Sequence, residues 1–222
     1  MKYISLALGA LVIIGLLAFF LMSPSPSAVT ESEGSVEGSV VTPGTYTVTP
    51  EQSEFRWAGQ KPRIDGYVNS GTIALNEGSI VVGENEATGT FTLDMNSIHV
   101  GLTAQKPGQE GALEGHLKGE RWFNVETYPT ATFVITSVAP TETELVYTVT
   151  GDLTLKGTTN AVTFPARIYQ TPEGLLKAEA DLEIDRILWG ITAGSGNFFE
   201  DLGDNLIDDM VLLSFSLTAE IQ

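Results

Sequence analysis

An all-β domain, closed as a barrel or stacked as a sandwich, is the fold class this sequence predicts, and three observations predict it. Between Gly44 and Gln222 apolar and polar residues alternate with period two in one segment after another, as a half-buried pleated strand requires. Clusters of Asn, Glu, Thr, Pro and Gly separate those segments at modest spacing. Only Gly111 to Phe123 carries a helical pattern, and Gly115 and Gly119 keep it short. Many short strands with frequent turns point to a sandwich or a barrel.

The chain opens with Lys2 and an uncharged apolar run, Ile4 to Met22. At 19 residues this run exceeds a typical secretory core of about 7–15 residues and fits a spanning helix of about 17–25. Its length favours an uncleaved transmembrane anchor, whereas Ser25-Pro26-Ser27 before Ala28 offers a signal-peptide cleavage site, so residues 1–22 are a signal peptide or an anchor. Lys2 precedes the run and Glu31, Glu33 and Glu37 follow it, which places the rest of the chain outside the cytoplasm, in the periplasm or at the cell surface. Residues 23–43, rich in Ser, Pro, Gly and Glu, read as a flexible linker, and the folded domain is expected from Gly44 to Gln222.

The expected strands run Thr45–Thr49, Glu54–Ala58, Tyr67–Leu75, Ser79–Val82, Ala87–Leu93, Thr132–Val138, Leu145–Leu155 and Ala161–Tyr169. Two more lie over 177–184 and 211–218. Alternation is cleanest in the last two, where Ala178, Leu182 and Ile184 oppose Lys177, Glu179, Asp181 and Glu183, and Val211, Leu213, Phe215 and Leu217 oppose mostly Ser and Thr. Asn76-Glu77-Gly78, Glu84-Asn85-Glu86, Thr141-Glu142-Thr143 and Thr171-Pro172-Glu173-Gly174 are the expected turns. His99 to Gly111 reads as a long loop.

A formal charge of −17 disfavours nucleic acid and anionic headgroup surfaces as partners, because no Lys/Arg cluster offsets it locally. The absence of cysteine removes disulfides, thiolate nucleophiles and a lipid-modified cysteine. There is no Gly-x-Ser-x-Gly elbow, no His-Glu-x-x-His and no phosphate-binding glycine loop. Carboxylate pairs such as Glu114 and Glu120 occur in any acidic protein, so the chain is not expected to be an enzyme. Two histidines are too few for a usual zinc site, and the oxygen-rich cluster Asp201, Asp204, Asn205, Asp208 and Asp209 lacks calcium-loop spacing; no metal and no cofactor are expected.

The segment Gly115 to Phe133, GHLKGERWFNVETYPTATF, resembles the signature of the YceI-like polyisoprenoid-binding family at His116, Leu117, Lys118, Trp122, Phe123, Tyr128, Pro129 and Phe133. Gly44-Thr45-Tyr46 with Ser53, Phe55 and Trp57, the stretch Gly151 to Thr159, and Asp185-Arg186, Trp189-Gly190, Asp209 and Val211 agree in order. Trp122 and Trp189 stand where that family usually has Phe. The resemblance implies a lipocalin-like, eight-stranded antiparallel barrel with one short helix, behind an N-terminal hydrophobic helix, holding an isoprenoid-type lipid such as a quinone or polyprenol tail, or a fatty-acid derivative, in its lumen. An eight-stranded barrel is either filled by side chains or wide enough for one slender ligand. Roughly 20 buried carbons at about 0.8 kcal/mol each give about 16 kcal/mol gross, against association costs of about 4–15 kcal/mol.

The expected lumen residues are Phe55, Trp57, Phe91, Leu93, Phe133, Ile135, Tyr147, Val149, Phe164, Ile168, Leu182, Ile184, Leu213 and Phe215, with Trp122, Trp189 and His116 at the mouth. Ordinary core packing is the competing account for each. For His116 it is a structural hydrogen bond, and Arg186 is expected either to pair with Asp185 or to cap the following loop. Two functions remain open at this stage: extracytoplasmic binding, storage or transport of a lipid, or a non-catalytic, membrane-tethered interaction or stress-protective module with a solid core. Membrane contact is expected through residues 4–22, and exposed strand edges leave a homodimer open.

Overall fold

The structure, a computed structural model, describes residues 38–104 and 106–222. The expected signal or anchor and most of the expected linker lie outside those residues. No helix among the described residues is long and apolar enough to cross a membrane.

Among the described residues, nine strand segments form one antiparallel sheet: β1 (Gly44–Val48), β2 (Glu54–Gln60), β3 (Val68–Val82), β4 (Ala87–Thr103), β5 (Thr130–Pro140), β6 (Val146–Leu155), β7 (Thr158–Gln170), β8 (Leu176–Asp185) and β9 (Met210–Ile221). β1 and β2 are two halves of a single stave. Both lie between β3 and β9, with Tyr46 opposite Ile80 and Ile221 and with Phe55 opposite Ile73 and Phe215. A short 3-10 turn at Pro50–Gln52 interrupts them. The sheet therefore closes as an eight-stave barrel, as expected, with one helix, α1 (Glu110–Lys118), in the β4–β5 connection.

Antiparallel order gives the barrel two unlike ends. The β3–β4, β5–β6 and β7–β8 hairpins lie at one end; the β2–β3 turn, α1 and the long β8–β9 connection lie at the other. At the helix end β6 and β7 join through Lys156-Gly157, both with positive φ (48° and 73°). That is the two-residue turn whose twist matches the strands, and glycine takes its second position without strain. With β1 and β2 counted as one stave, the β7–β8 ladder is the shortest between neighbouring staves, running only from Arg167–Glu179 to Gln170–Leu176. Pro165, which has no N–H to donate, lies just beyond it.

Three boundaries differ from expectation. Asn76-Glu77-Gly78 is not a turn but a bulge inside one long strand, with a register shift between Leu75 and Glu77. A Cβ at Gly78 would come within 2.9 Å of Phe91 and Val48, so glycine there lets two core side chains meet the strand. β4 continues through the expected loop as far as Thr103, because Ile98 and Val100 are buried while His99 and Gly101 face outward. Glycine and polar residues had masked that alternation. Leu145, expected inside a strand, sits in the β5–β6 turn with φ 58°. The last residues before Gly44 also lie on the barrel: Ser39 bridges Gln170 through two backbone hydrogen bonds of 3.0 and 2.8 Å.

Candidate functional site

The inward faces of the strands surround a cavity of about 630 Å³. That is inside the range of about 300–1,000 Å³ usual for ligand pockets, and several times the roughly 150 Å³ that encloses one benzene. Residues from both ends of the barrel line it, so it runs along the barrel axis. Its middle is almost wholly apolar.

Fifteen of the residues expected at the site line this cavity: Phe55, Trp57, Phe91, Leu93, Trp122, Phe133, Ile135, Tyr147, Val149, Phe164, Ile168, Leu182, Ile184, Leu213 and Phe215. Many are only half-buried although they point away from the outer surface, since the lumen itself leaves part of each accessible. Small residues set the width: Ala166 and Ala178 lie on the wall, and Gly151 admits the Phe133 ring where any Cβ would overlap it.

At mid-height the phenylalanines form an arc. Phe91 stacks with Phe133 (6.3 Å between centroids), Phe133 meets Phe164 (5.8 Å), Phe164 meets Phe215 edge-on (5.8 Å), and Phe215 stacks with Phe55 (5.3 Å). Phe133, Phe164 and Phe215 belong to β5, β7 and β9, so each contact passes over one intervening strand. Gly151 on β6 and Ala180 on β8 carry too little side chain to interrupt it. Such ring pairs add about 0.5–1.5 kcal/mol each beyond area burial and stiffen the wall a ligand would meet.

Two expected site residues are elsewhere. His116 is on the exposed face of α1, because the helix turns Leu113 and Leu117 inward and sends its polar positions to solvent. Trp189 is 2% exposed in a 3-10 turn after β8, where period two no longer applies, and it packs in the core at the helix end. Its indole N–H donates to the Leu153 carbonyl at 2.9 Å. By contrast, the Trp57 indole N–H is buried without an acceptor among the described residues. Sequence reasoning missed Ile73, Ile80, Ile98, Leu113, Leu117, Phe123, Ile191 and Ile207, all of which line the cavity. The spacing of Leu113 and Leu117, one helical turn apart, was the available signal.

The helix end is braced by an ion pair between a buried arginine and a half-buried aspartate. Arg186, 3% exposed, donates to Asp209 Oδ1 at 2.9 Å and to the carbonyls of Asp208, Ile191 and Ile207. Asp209 accepts in turn from Ser195 and Asn197, each at 2.8 Å. The partner is thus Asp209 and not the neighbouring Asp185, whose carboxylate caps the 3-10 turn by accepting from the Ile187 N–H. Burial pulls the guanidinium below its ordinary pKa, while Asp209, Asp185 and Asp208 act to hold it up. The Arg186 guanidinium also lies 5.4 Å from the Trp122 ring centroid.

Two carboxylates clasp α1 to β4. Glu114 accepts from the Val100 N–H at 2.9 Å and lies 2.8 Å from His99 Nδ1, and Glu110 accepts from the Thr103 hydroxyl at 2.9 Å. Backbone N–H donation lowers both pKa values, with Val100 the main cause for Glu114 and the residue's own N–H for Glu110. A depressed carboxyl stabilises the fold above its unfolded pKa of about 4.3, and that contribution is lost as pH falls through the folded value. The expected result is that the native protein loses more thermal stability between pH 5 and pH 3, read by circular dichroism, than the Glu114→Gln variant does. Among the described residues no group of three or more His, Asp or Glu side chains is placed to hold a metal ion.

A closed antiparallel barrel with one helix at its end and an apolar lumen is lipocalin-like in architecture. The model of the YceI-like domain matches residues 46–219, and the chain belongs to that family. No curated protein matches the sequence. Among solved structures, it is similar to BcnA of Burkholderia cenocepacia, at 25% identity and a TM-score of 0.59, over 78% of this chain and 99% of that one. It also shares its fold with a polyisoprenoid binding domain from Saccharophagus degradans implicated in plant cell wall breakdown. That match has 16% identity and a TM-score of 0.62, and covers 80% and 98% of the two chains.

Proposed function

We propose that this protein binds a single apolar chain in the barrel lumen and serves to store, shield or carry an isoprenoid-type lipid, such as a quinone or polyprenol tail, outside the cytoplasm. The observation that carries the reading is the axial cavity of about 630 Å³ with its apolar wall. By proportion to the roughly 150 Å³ that holds a six-carbon ring, it has room for about two dozen carbons. A neighbour in fold is described as a polyisoprenoid binding domain, which supports the same ligand class. Burial of a carbon chain needs no catalytic group, and none is invoked. Attachment to a membrane through residues 4–22, or release after cleavage, belongs to this reading, as does the extracytoplasmic site.

The phenylalanine arc favours a second reading, a barrel braced by its own side chains and acting as a tethered interaction or protective module. Titration with all-trans-retinol, a fluorescent isoprenoid alcohol, separates the two. Lipid binding predicts saturable enhancement of retinol emission with energy transfer from Trp57 and Trp122 on the cavity wall. Absence of saturable uptake favours the braced barrel.

A further inference from the structure

Residues 38–43 precede the part of the chain that matches the YceI-like domain, and they run across the hairpin end of the lumen. β6 stops pairing with β7 at Val146–Arg167, and Ser39 takes up the protruding end of β7 in its place. It donates to the Gln170 carbonyl at 3.0 Å and accepts from the Gln170 N–H at 2.8 Å. Beyond this bridge, the Thr42 N–H donates to the Gln170 side chain at 3.3 Å and the buried Tyr46 hydroxyl donates to the Thr42 carbonyl at 2.8 Å. Val40, Val41 and Pro43 line the same cavity as the β3–β4 turn, Gly83 to Glu86. Val41 packs on the core at that end, while Val40 is 66% exposed.

This segment is held by far less than the strands around it. β6–β7 and β8–β9 are zipped over ten residue pairs each, whereas the segment has one isolated bridge and a few side-chain bonds. Segments with few buried contacts and few hydrogen bonds open at a small fraction of the global unfolding free energy. The helix end differs in kind, with the Arg186–Asp209 pair tying down the β8–β9 connection and the carboxylate clasp tying α1 to β4.

We propose that residues 38–43 are a strap that gates the hairpin end of the lumen, so that an apolar chain enters and leaves when the Ser39–Gln170 bridge opens. The proposal rests on the lumen taking up such a chain. In the sequence the strap lies between the apolar run 4–22 and the first strand of the barrel.

The chain contains no cysteine, which makes a reversible lock possible. Ser39 and Gln170 face each other as a mutually hydrogen-bonded antiparallel pair, whose Cα separation of about 5.5 Å is suitable for a disulfide. In the full-length Ser39→Cys/Gln170→Cys variant, transfer of bound retinol to phosphatidylcholine vesicles is followed with the thiols oxidised and then reduced. Oxidation is expected to slow both uptake and release by at least about tenfold relative to the reduced form, leaving Kd within about twofold. Equal exchange rates in the two states, with the disulfide verified by mass, overturn the gate while leaving the lumen reading intact. A change in release alone, matched by Kd, also overturns it, since the strap is then only part of the wall. Failure of the native chain to take up retinol ends both readings.

Discussion

Replacing Ala178 with tryptophan is expected to abolish most lipid binding while leaving a folded barrel. Ala178 is on β8 opposite Ile168 and Leu217, and its methyl group lines the cavity. An indole there projects into the space a chain would occupy and displaces roughly five methylenes, each worth about 0.8 kcal/mol on burial. The sum, about 4 kcal/mol, corresponds to roughly a thousandfold loss of affinity for retinol. Overpacking a filled core costs about 1–3 kcal/mol, and the lumen has room to lower that figure, so the melting temperature should change little. Unchanged affinity in a folded Ala178→Trp variant would place the ligand elsewhere than in the lumen.

The second large effect is on stability. Arg186→Met removes the cation that Asp209 faces and leaves the carbonyls of Ile191, Ile207 and Asp208 without their donor. Removing one partner of a buried pair costs about 3–5 kcal/mol, because the remaining charge stays desolvated. For a domain of this size that lowers the melting temperature by about 10 °C. Ile191, Ile207 and Asp208 also line the cavity, so the helix end should loosen along with the fold. A double variant, Arg186→Met with Asp209→Asn, is expected to recover part of the loss. A shift below about 2 °C in the single variant would mean that the pair does not hold the β8–β9 connection.

Much of the barrel was legible in the sequence because one physical rule governs it. Where a strand separates lumen from solvent, side chains must alternate, and Val211 to Leu217 and Ala178 to Ile184 announce this plainly. Legibility failed where alternation is interrupted without the strand ending. The Asn76-Glu77-Gly78 bulge has the composition of a turn, yet Gly78 serves the packing of Phe91 and Val48. In β4 the outward positions beside Ile98 and Val100 are a histidine and a glycine, which read as loop.

Within the site, the expected residues on strands line the cavity, since period two fixes their direction. Of the expected residues on other elements, Trp122 in the turn after α1 also lines the cavity, and two do not. Trp189 lies beyond the end of β8, and His116 is on a helix whose inward face is set by Leu113 and Leu117. The Arg186–Asp209 pair joins positions 23 residues apart across the β8–β9 connection, a proximity created by the antiparallel β8–β9 ladder that ends at Asp185–Met210. The strap was invisible for a simpler reason. Val40, Val41 and Pro43 sit in a stretch whose composition is that of a linker, and nothing local says that they border a cavity.

Native mass spectrometry of the full-length chain, released from mild detergent and followed by organic extraction, tests the central claim most directly. The account predicts one apolar molecule per chain, of about two dozen carbons or carrying an isoprenoid tail of that length, lost in the Ala178→Trp variant. A protein that flies at its bare sequence mass and yields no lipid on extraction would contradict it.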